Sequence, residues 1–448
     1  MTSPKLSRRA MMAATAASAS AAAFVGGLLD PSSAWAQSDR LLRVRANRTI
    51  LSTDPGYMIG GIEMMLQYAC LARLATYTDS ADSWGWEASE FVSALEQVDP
   101  QTISFEMKKG IMWYDGTTHE EIAELDAEDV KYSLERMQIS EWKDKAVALD
   151  HVEVTGSHTG IIHLNQPFAP IWLTWLCDGT GTIVSKVAVE AAGGKYDGIF
   201  NFYCGYYRVS EWVQKQSFSL EPNPNWGGTP PAISNVKFIV IEDEKTAEIA
   251  FEADEIDLTN IAIDAIPRLL ADPPEGGVVK EFAGTQWFWM GLNVDHPNLQ
   301  DIRVRRAIQH AVDVETIIEG AWAGVGTRAH GIVPPGLVGF REEGKYDTPD
   351  LDAARALIAE AGAEGMSLTL KTINVADRIA AATIIQANLA EIGLNVEVVP
   401  VDPGPFWNLG LESEGDDWKD LELWIMSYLD SPDPSQMTQW YISDQVGV

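Results

Sequence analysis

One stretch near the end of the chain restricts the fold more than any other, because two strand patterns there flank a helical one. Alternating apolar residues predict strands at 367–373 and 394–401. Between them, apolar residues recur at helical spacing over 377–392, and Gly393 follows as a natural helix terminus. Strands joined in this way are expected to be parallel, with a right-handed crossover. The stretch therefore predicts a βαβ unit and an α/β fold.

The remainder of the chain also alternates between strand and helix patterns, which is typical of mixed α and β proteins. Asp126 and Asp301 are the predicted N-caps of two helices, and Gly362 is the predicted end of a third. Further strands are predicted at 102–108, 151–164 (a hairpin turning at 156–160), 206–222, 236–241, 286–294 and 421–427. The last of these is expected to join the sheet of the βαβ unit.

The carboxyl ends of the strands in this sheet indicate where a ligand would bind, because ligands of open α/β sheets occupy the crevice beyond those ends. The ends carry residues 374–378, 402–407 and 427–433. These residues include acidic, aromatic and arginine side chains but no recognisable catalytic group. Arg378 is a candidate partner for a ligand carboxylate, and Phe406 and Trp407 are candidate apolar walls.

The strand predicted at 286–294 has aromatic residues on the face opposite its other apolar side chains. Phe288 and Met290 are expected to point one way, whereas Trp287 and Trp289 point the other. Such a strand is either buried on both faces or lines a cavity. Core packing and a ligand-facing aromatic wall both remain open, and we include the two tryptophans among the candidate ligand contacts.

The charge balance argues against two classes of partner. The chain has 32 basic and 65 acidic residues, for a formal net charge of −33. Such a surface would repel nucleic-acid phosphate and an anionic membrane surface. The acidic excess fits an adaptation for solubility in a salty habitat, and attraction of cationic ligands is the alternative.

The first 36 residues have the pattern of an export signal. Arg8 and Arg9 precede an alanine-rich, mildly apolar run that reaches Leu29, and Ala34 and Ala36 present small side chains at the positions read by a signal peptidase. Paired arginines and low hydrophobicity predict a signal peptide for the twin-arginine route, cleavage after Ala36 and a periplasmic protein. Polar residues interrupt the run, so a membrane-spanning helix is not expected. The segment contains no cysteine, so a lipid anchor at the cleavage site is not expected either.

Neither the cysteines nor any motif predicts a metal or cofactor site. Cys70, Cys177 and Cys204 fit either one disulfide with a free thiol or three buried thiols. The glycines at 324 and 326 follow a helical pattern, whereas the glycines of a dinucleotide fingerprint follow a strand. The chain is therefore expected to bind no cofactor or metal and to catalyse no reaction. Because twin-arginine export often accompanies cofactor enzymes, an exported cofactor-dependent enzyme is kept as the alternative.

Several stretches carry short motifs in a characteristic order. They lie at 111–117, 125–136, 205–212, 222–226, 303–313, 332–335 and 352–362. The motifs include Trp-Tyr-Asp-Gly-Thr, Ala-Glu-Asp-Val followed by Ser-Leu-Glu-Arg, and Val-Arg-Arg-Ala-Ile. Over most of residues 40–440, the chain thereby resembles the extracellular solute-binding proteins of the dipeptide, oligopeptide and nickel branch (solute-binding protein family 5, cluster C).

The resemblance implies a periplasmic-binding-protein-like type II fold, with two lobes around a ligand cleft and an extra domain. After a signal peptide at 1–36, we expect lobe I over 37–84 and 200–282, the extra domain over 85–199 and lobe III over 283–448. It also implies that the protein captures a small solute, peptide or peptide-like, by hinge closure and delivers it to the permease of an ABC importer in the inner membrane. We expect a monomer. A chaperone or sensory protein on the same fold is a further alternative.

The resemblance also assigns a specific role to Asp430. In peptide binders of this family, an aspartate in a Gly-Trp…Asp…Asp-Pro loop pairs with the α-ammonium group of the ligand. The matching stretch here is 427–434, which places Asp430 in that role and Tyr428 in place of the tryptophan. Capping of a turn by Asp430 is the structural alternative.

Two departures from the family pattern bear on the ligand and on the end of the chain. Tyr206 and Tyr207 stand in a strand where family members have Gly-Thr-Gly-Pro-Tyr, so dipeptide, oligopeptide, opine, sugar and metal-chelate ligands all remain open. Nickel alone is not expected, because no histidine cluster is visible. Family chains also continue beyond the position of Val448, so lobe I is expected to lack its C-terminal return and the chain is interpreted as a fragment.

Overall fold

The computed structural model describes residues 41–58, 60–78, 84–280, 286–335, 337–402, 406, 409, 416–429 and 432–438. The chain folds as two compact units: unit 1 runs up to Ala262 and includes Arg268–Lys280, and unit 2 comprises Ile263–Pro267 and the chain from Glu281 onwards. Each unit has its own hydrophobic core. The finer division into lobe I, an extra domain and lobe III stays a prediction, and the predicted signal peptide lies outside the described residues.

Unit 1 combines several sheets with short helices. Its strands are β1 (Leu41–Ala46), β2 (Ala75–Tyr77), β3 (Trp86–Ala88), β4 (Val92–Asp99), β5 (Thr102–Met107), β6 (Met112–Asp115), β7 (Glu121–Glu124), β8 (Leu149–Gly156), β9 (Thr159–Leu164), β10 (Phe202–Tyr203), β11 (Tyr207–Val213), β12 (Ser217–Pro222) and β13 (Asn235–Val240). Its helices are α1 (Gly61–Cys70), α2 (Ala127–Glu135), α3 (Lys186–Ala191) and α4 (Glu244–Glu252), while α5 (Ile266–Ala271) spans the sequence boundary between the units. One sheet has the order β1-β13-β12-β11, and a second, antiparallel sheet has the order β4-β5-β9-β8.

Local sequence signals in unit 1 predicted its elements well. Ile103, Phe105 and Met107 of β5 are buried together, as their alternation predicted. Asp126 caps α2, and its own amide donates to the Asp129 carboxylate, so the two residues form a capping box. The predicted hairpin at 151–164 is confirmed as β8 and β9.

The stretch at 206–222, predicted only as strand, is a hairpin of two strands. β11 and β12 pair in antiparallel fashion, and Lys215 adopts a left-handed conformation (φ 63°) in the reversal between them. The reversal was not predicted because no glycine or asparagine marks it, although these residues are favoured at positive φ.

Unit 2 contains the predicted βαβ unit. Its strands are β14 (Gln286–Leu292), β15 (Ser367–Ile373), β16 (Asn395–Val401) and β17 (Leu423–Leu429), and its helices are α6 (Ile302–Ala311), α7 (Val314–Trp322), α8 (Leu351–Ala361), α9 (Ala376–Ala390) and α10 (Ser435–Thr438). The sheet order is β14-β17-β15-β16. β15 is parallel to both β16 and β17, whereas β14 is antiparallel to β17.

The core of unit 2 explains why these strands and helices form. Leu368 and Leu370 of β15 are buried with Ala382 and Ile385 of α9 in one apolar cluster. Gly393, which follows α9, has a positive φ of 84°, a conformation that disfavours other residues. The helix ends at Ala390, two residues earlier than the apolar stripe indicated. The mixed α/β class is confirmed.

Two further expectations concern the cysteines and the membrane. Cys70, Cys177 and Cys204 are all buried and free, so the structure selects three buried thiols over a disulfide. Burial raises the pKa of the Cys177 thiol to about 12, which makes it unreactive at neutral pH. Across the described parts of the chain, no helix has both the length and the apolar character to cross a membrane.

Candidate ligand-binding site

The carboxyl ends of β15, β16 and β17 lie at the same edge of the unit 2 sheet, because the three strands are parallel. Asn374 follows β15, and its side-chain amide donates to Oδ1 of Asp402, which follows β16, over 3.3 Å. The backbone amide of Asn374 donates to the carbonyl of Val401 at 2.8 Å. The residues after β15 and β16, which were predicted to share a rim, are therefore adjacent.

Arg378, in the first turn of α9, lies at this edge and is only 9% exposed. Its Nη1 contacts the Asp377 carboxylate, and its Nη2 donates to Oγ of Ser427 on β17 at 3.4 Å. Its guanidinium carbon is 4.0 Å from the centre of the Phe288 ring, a cation–π contact. Burial lowers the pKa of Arg378, and the neighbouring Asp377 carboxylate opposes that effect.

Asp377 has a second partner, which also contacts Phe288. Nε1 of Trp322, the last residue of α7, donates to Oδ2 of Asp377 at 3.1 Å. The Trp322 ring in turn packs against Phe288 with centroids 5.0 Å apart. Phe288, Trp322, Asp377, Arg378 and Ser427, here called the Arg378 cluster, therefore hold one another in place.

The chemistry of the Arg378 cluster suits binding rather than covalent catalysis. A buried guanidinium carries several fixed N–H donors and can receive a carboxylate. Ser427 supplies a hydroxyl, but its contact is with Arg378, which cannot accept the proton that a serine nucleophile must lose. The cluster can thus orient a charged group of a ligand.

A second aromatic group occupies the opposite face of the same sheet. Side chains opposite each other on paired strands share a face, and Phe288 pairs with Ser427 whereas Trp289 pairs with Met426. Trp287 and Trp289 stack with centroids 5.8 Å apart, and Trp289 meets Trp424 edge-on at 5.8 Å. The three tryptophans therefore lie across the sheet from Arg378.

Gly291 makes this tryptophan face feasible. It pairs with Trp424 across β14 and β17, and a Cβ atom at Gly291 would lie 2.3 Å from the Trp424 indole. Only a residue without a side chain leaves room for that ring.

The model of the bacterial extracellular solute-binding proteins, family 5, matches residues 77–447. This chain belongs to that family. It is 25% identical over 357 residues to the dipeptide-binding protein of Escherichia coli K12, and this match covers 73% of this chain and 64% of the relative. It is 24% identical over 437 residues to the periplasmic oligopeptide-binding protein OppA of the same strain, covering 88% of this chain and 77% of the relative. The chain thus spans about two thirds to three quarters of the length of these relatives.

Solved structures confirm the fold of this solute-binding protein. The periplasmic binding protein DppA of Helicobacter pylori, in complex with the peptide STSA, has a TM-score of 0.71 at 21% identity and matches 89% of this chain and 80% of its own. The substrate-binding protein CtaP of Listeria monocytogenes has a TM-score of 0.76 at 20% identity, over 92% of this chain and 83% of its own. The predicted periplasmic-binding-protein-like type II fold is therefore confirmed.

The predicted contact residues of this solute-binding protein are divided between several places. Arg378 lies in the cluster at the sheet edge, whereas Trp287 and Trp289 lie on the opposite face of the sheet. Phe406 is 3% exposed, and its amide donates to the carbonyl of Asp402 at 3.0 Å. The backbone of Tyr428, in β17, pairs with that of Trp287 in β14. Asp430 and Trp407 lie outside the described residues.

Trp322 is the member of the Arg378 cluster that sequence reasoning did not consider. It is the last residue of α7, and its bond to Asp377 joins positions that are 55 residues apart in the chain. No local motif marks it. A correlation with position 377 among related sequences is the signal that could have found it.

The two tyrosines that depart from the family pattern pack inside unit 1. Tyr206 meets Trp226 at 4.7 Å and Phe91 at 5.9 Å between ring centroids. The Tyr207 hydroxyl donates to the carbonyl of Ile233 at 2.7 Å. Burial is the main cause that raises the pKa of each hydroxyl, so both stay protonated at neutral pH. Both rings thus contribute to the packing of unit 1.

Proposed function

We propose that this chain captures a peptide or peptide-like solute in the periplasm and delivers it to the permease of an ABC importer. The observation that carries the proposal is the Arg378 cluster, a buried charged and aromatic group at the carboxyl edge of the sheet where ligands of such folds bind. Two relatives carry the names dipeptide-binding protein and oligopeptide-binding protein, which supports a peptide as the ligand.

Two charged residues are proposed to recognise the ends of the peptide. Asp430 would accept hydrogen bonds from the α-ammonium group, a charge-assisted contact that contributes about 1.5–3 kcal/mol. Arg378 would donate to the α-carboxylate of the peptide. It would either keep its contact with the Asp377 carboxylate or give up that contact for the ligand. Tyr428, Phe406 and Trp407, at or just beyond the carboxyl ends of β16 and β17, are proposed to supply apolar contacts to the side chains of the ligand. Trp287 and Trp289 are proposed to do so only where the ligand extends past the sheet edge onto the face opposite Arg378.

Export and assembly are also part of the proposal. We infer that residues 1–36 direct the chain to the twin-arginine route and are cleaved after Ala36, and that the mature protein acts as a monomer. An exported cofactor-dependent enzyme is not favoured, because the family consists of binding proteins. Peptide capture without any cofactor is the proposed activity.

A ligand screen tests the function directly. The protein would be heated with di- and tripeptides, opines, sugars and nickel chelates, and its melting temperature followed. A ligand at one hundred times its Kd stabilises the folded state by about 2.7 kcal/mol, so a peptide hit should raise the melting temperature by about 2 °C or more. A shift with sugars or chelates but not with peptides would overturn the peptide assignment.

Paired variants and a blocked peptide then test the proposed contact of Asp430 with the α-ammonium group. With the best peptide from the screen, Asp430→Asn should weaken binding about tenfold or more, as should N-acetylation of the peptide. Asp433→Asn is the matched control in the same loop, since the Asp433 carboxylate accepts from the Ser435 amide at 2.8 Å. Equal affinity of Asp430→Asn and Asp433→Asn, measured by calorimetry, would remove Asp430 from the site.

A further inference from the structure

Two histidines lie side by side on the antiparallel β4-β5-β9-β8 sheet of unit 1. His151 on β8 is directly opposite His163 on β9. Their rings are stacked, with centroids 4.5 Å apart and planes inclined by 15°. Their side chains are 51% and 30% exposed. Two imidazoles are therefore presented together to solvent, in a unit that does not contain the Arg378 cluster.

A carboxylate accompanies each of the two rings. Oδ2 of Asp150 is 2.8 Å from Nδ1 of His151, and Oε2 of Glu153 is 3.1 Å from Nε2 of His163. The β8–β9 register shifts between Leu149 and His151, which makes Asp150 the extra residue of a β-bulge. The bulge brings Asp150 beside His151, while Glu153 lies two residues further along and shares the face of His151.

This combination of side chains matches the preferences of divalent transition metals. Imidazole nitrogen suits Zn²⁺, Ni²⁺ and Cu²⁺, and a carboxylate oxygen is an accepted additional ligand of Zn²⁺. A carboxylate bonded to one ring nitrogen is also the usual partner that orients a ligating histidine through its other nitrogen. Asp150 has that relation to His151, and the Glu153 oxygen lies close enough to His163 for an ion to insert between them.

In the structure, these side chains pair with one another instead of converging on one point. Among the described residues, no group of three or more histidine, cysteine, aspartate or glutamate side chains is already arranged to hold a metal ion. Ion binding would therefore require rotation of the side chains, which their exposure permits. Water would supply the remaining ligands.

We propose that His151 and His163 form a surface site for a divalent transition-metal ion, with Glu153 as a third ligand and Asp150 as a positioning residue for His151. The site shares no residue with the proposed peptide site, because its own residues all belong to unit 1. The two stacked histidines are partly exposed and do not belong to the buried core, so they are available to bind an ion.

Metal titration of the untagged full chain tests the site. Calorimetry with Ni²⁺ or Cu²⁺ should show saturable binding of one ion per chain. Loss of a residue that only orients a metal ligand typically costs about 10–100-fold in affinity, so His151→Phe and His163→Phe should each weaken binding at least about tenfold. Phenylalanine retains a flat ring for stacking but offers no ligand nitrogen.

His310→Phe is the matched control, because His310 contacts the Tyr346 ring edge-on at 4.8 Å, a contact that phenylalanine can keep. The control should bind the ion as the wild type does, and all variants should keep the wild-type peptide affinity and circular dichroism. Absence of saturable binding in the wild type, or wild-type affinity in the His151→Phe and His163→Phe variants, would overturn the proposal.

Discussion

At the scale of single residues, unit 1 contains a buried ion pair with unusually complete hydrogen bonding. Asp54 is fully buried, and its two carboxylate oxygens accept from Arg136 at 2.8 and 2.9 Å. The same carboxylate accepts from the amides of Gly56 at 3.0 Å and Tyr196 at 3.4 Å. Asp54 thus joins three segments that are distant in the sequence.

Removal of one partner should reveal how strongly unit 1 depends on this pair. Asp54→Ala leaves the Arg136 guanidinium buried without its carboxylate, so we expect a loss of about 3–5 kcal/mol in the free energy of unfolding, measured with a chemical denaturant. The control is Asp352→Ala, which breaks the exposed pair with Arg355 (3.2 Å) and should cause no measurable loss. Similar losses in both variants would show that the buried Asp54 pair contributes no more to the free energy of unfolding than the exposed pair does.

At the scale of elements, α2 is held by the carboxylate of Asp129. This side chain accepts from the indole Nε1 of Trp113 at 2.8 Å, from the amide of Lys186 at 2.8 Å and from the amide of Asp126 at 3.3 Å. It therefore connects the first turn of α2 to β6 and to α3. Despite these donors, burial dominates and raises the pKa of Asp129 to about 6.

The raised pKa of Asp129 predicts a specific pH dependence. The folded chain holds this proton more tightly than the unfolded chain, so the group stabilises the fold at low pH and loses that contribution as pH rises through about 6. Asp129→Asn cannot ionise. Its free energy of unfolding relative to the wild type should therefore fall by up to about 3 kcal/mol between pH 7 and pH 4.

Denaturant titrations of both proteins at each pH measure this difference. Because the comparison is with the wild type, the titration of other carboxylates cancels. A constant difference across the range would mean that the pKa of Asp129 is not raised, and a difference of opposite sign would mean that hydrogen bonding outweighs burial.

At the scale of the whole molecule, charge opposes compactness. A formal charge of −33 on 448 residues produces repulsion that salt should screen. At pH 7, an increase of NaCl from about 0.1 M to about 1 M shortens the screening length from about 10 Å to about 3 Å and should raise the melting temperature. Near the sequence pI of 4.4, where the net charge is small, the same salt series should have little effect. A shift of equal size at both pH values would instead indicate a general salt effect on burial.

Elements of the fold could be read from the sequence wherever their cause is local. The strand at 367–373, the caps at Asp126 and Asp301 and the glycine terminus at Gly362 all depend on residues within a few positions of one another. Backbone hydrogen bonding and side-chain alternation act over that distance, so these predictions are confirmed. The prediction for 206–222 missed the hairpin, because the turn at Lys215 lacks a local signal in the sequence.

The sequence by itself determined the α/β class, the parallel βαβ unit and the sheet edge at which Arg378 lies. Only the tertiary structure decided which side chains meet there. Trp322 reaches Asp377 across 55 positions, and the alternation of β14 places Phe288 with Arg378 but Trp289 on the other face. The physical reason is that strand and helix patterns follow from neighbouring residues, whereas contacts between elements depend on packing of the whole unit.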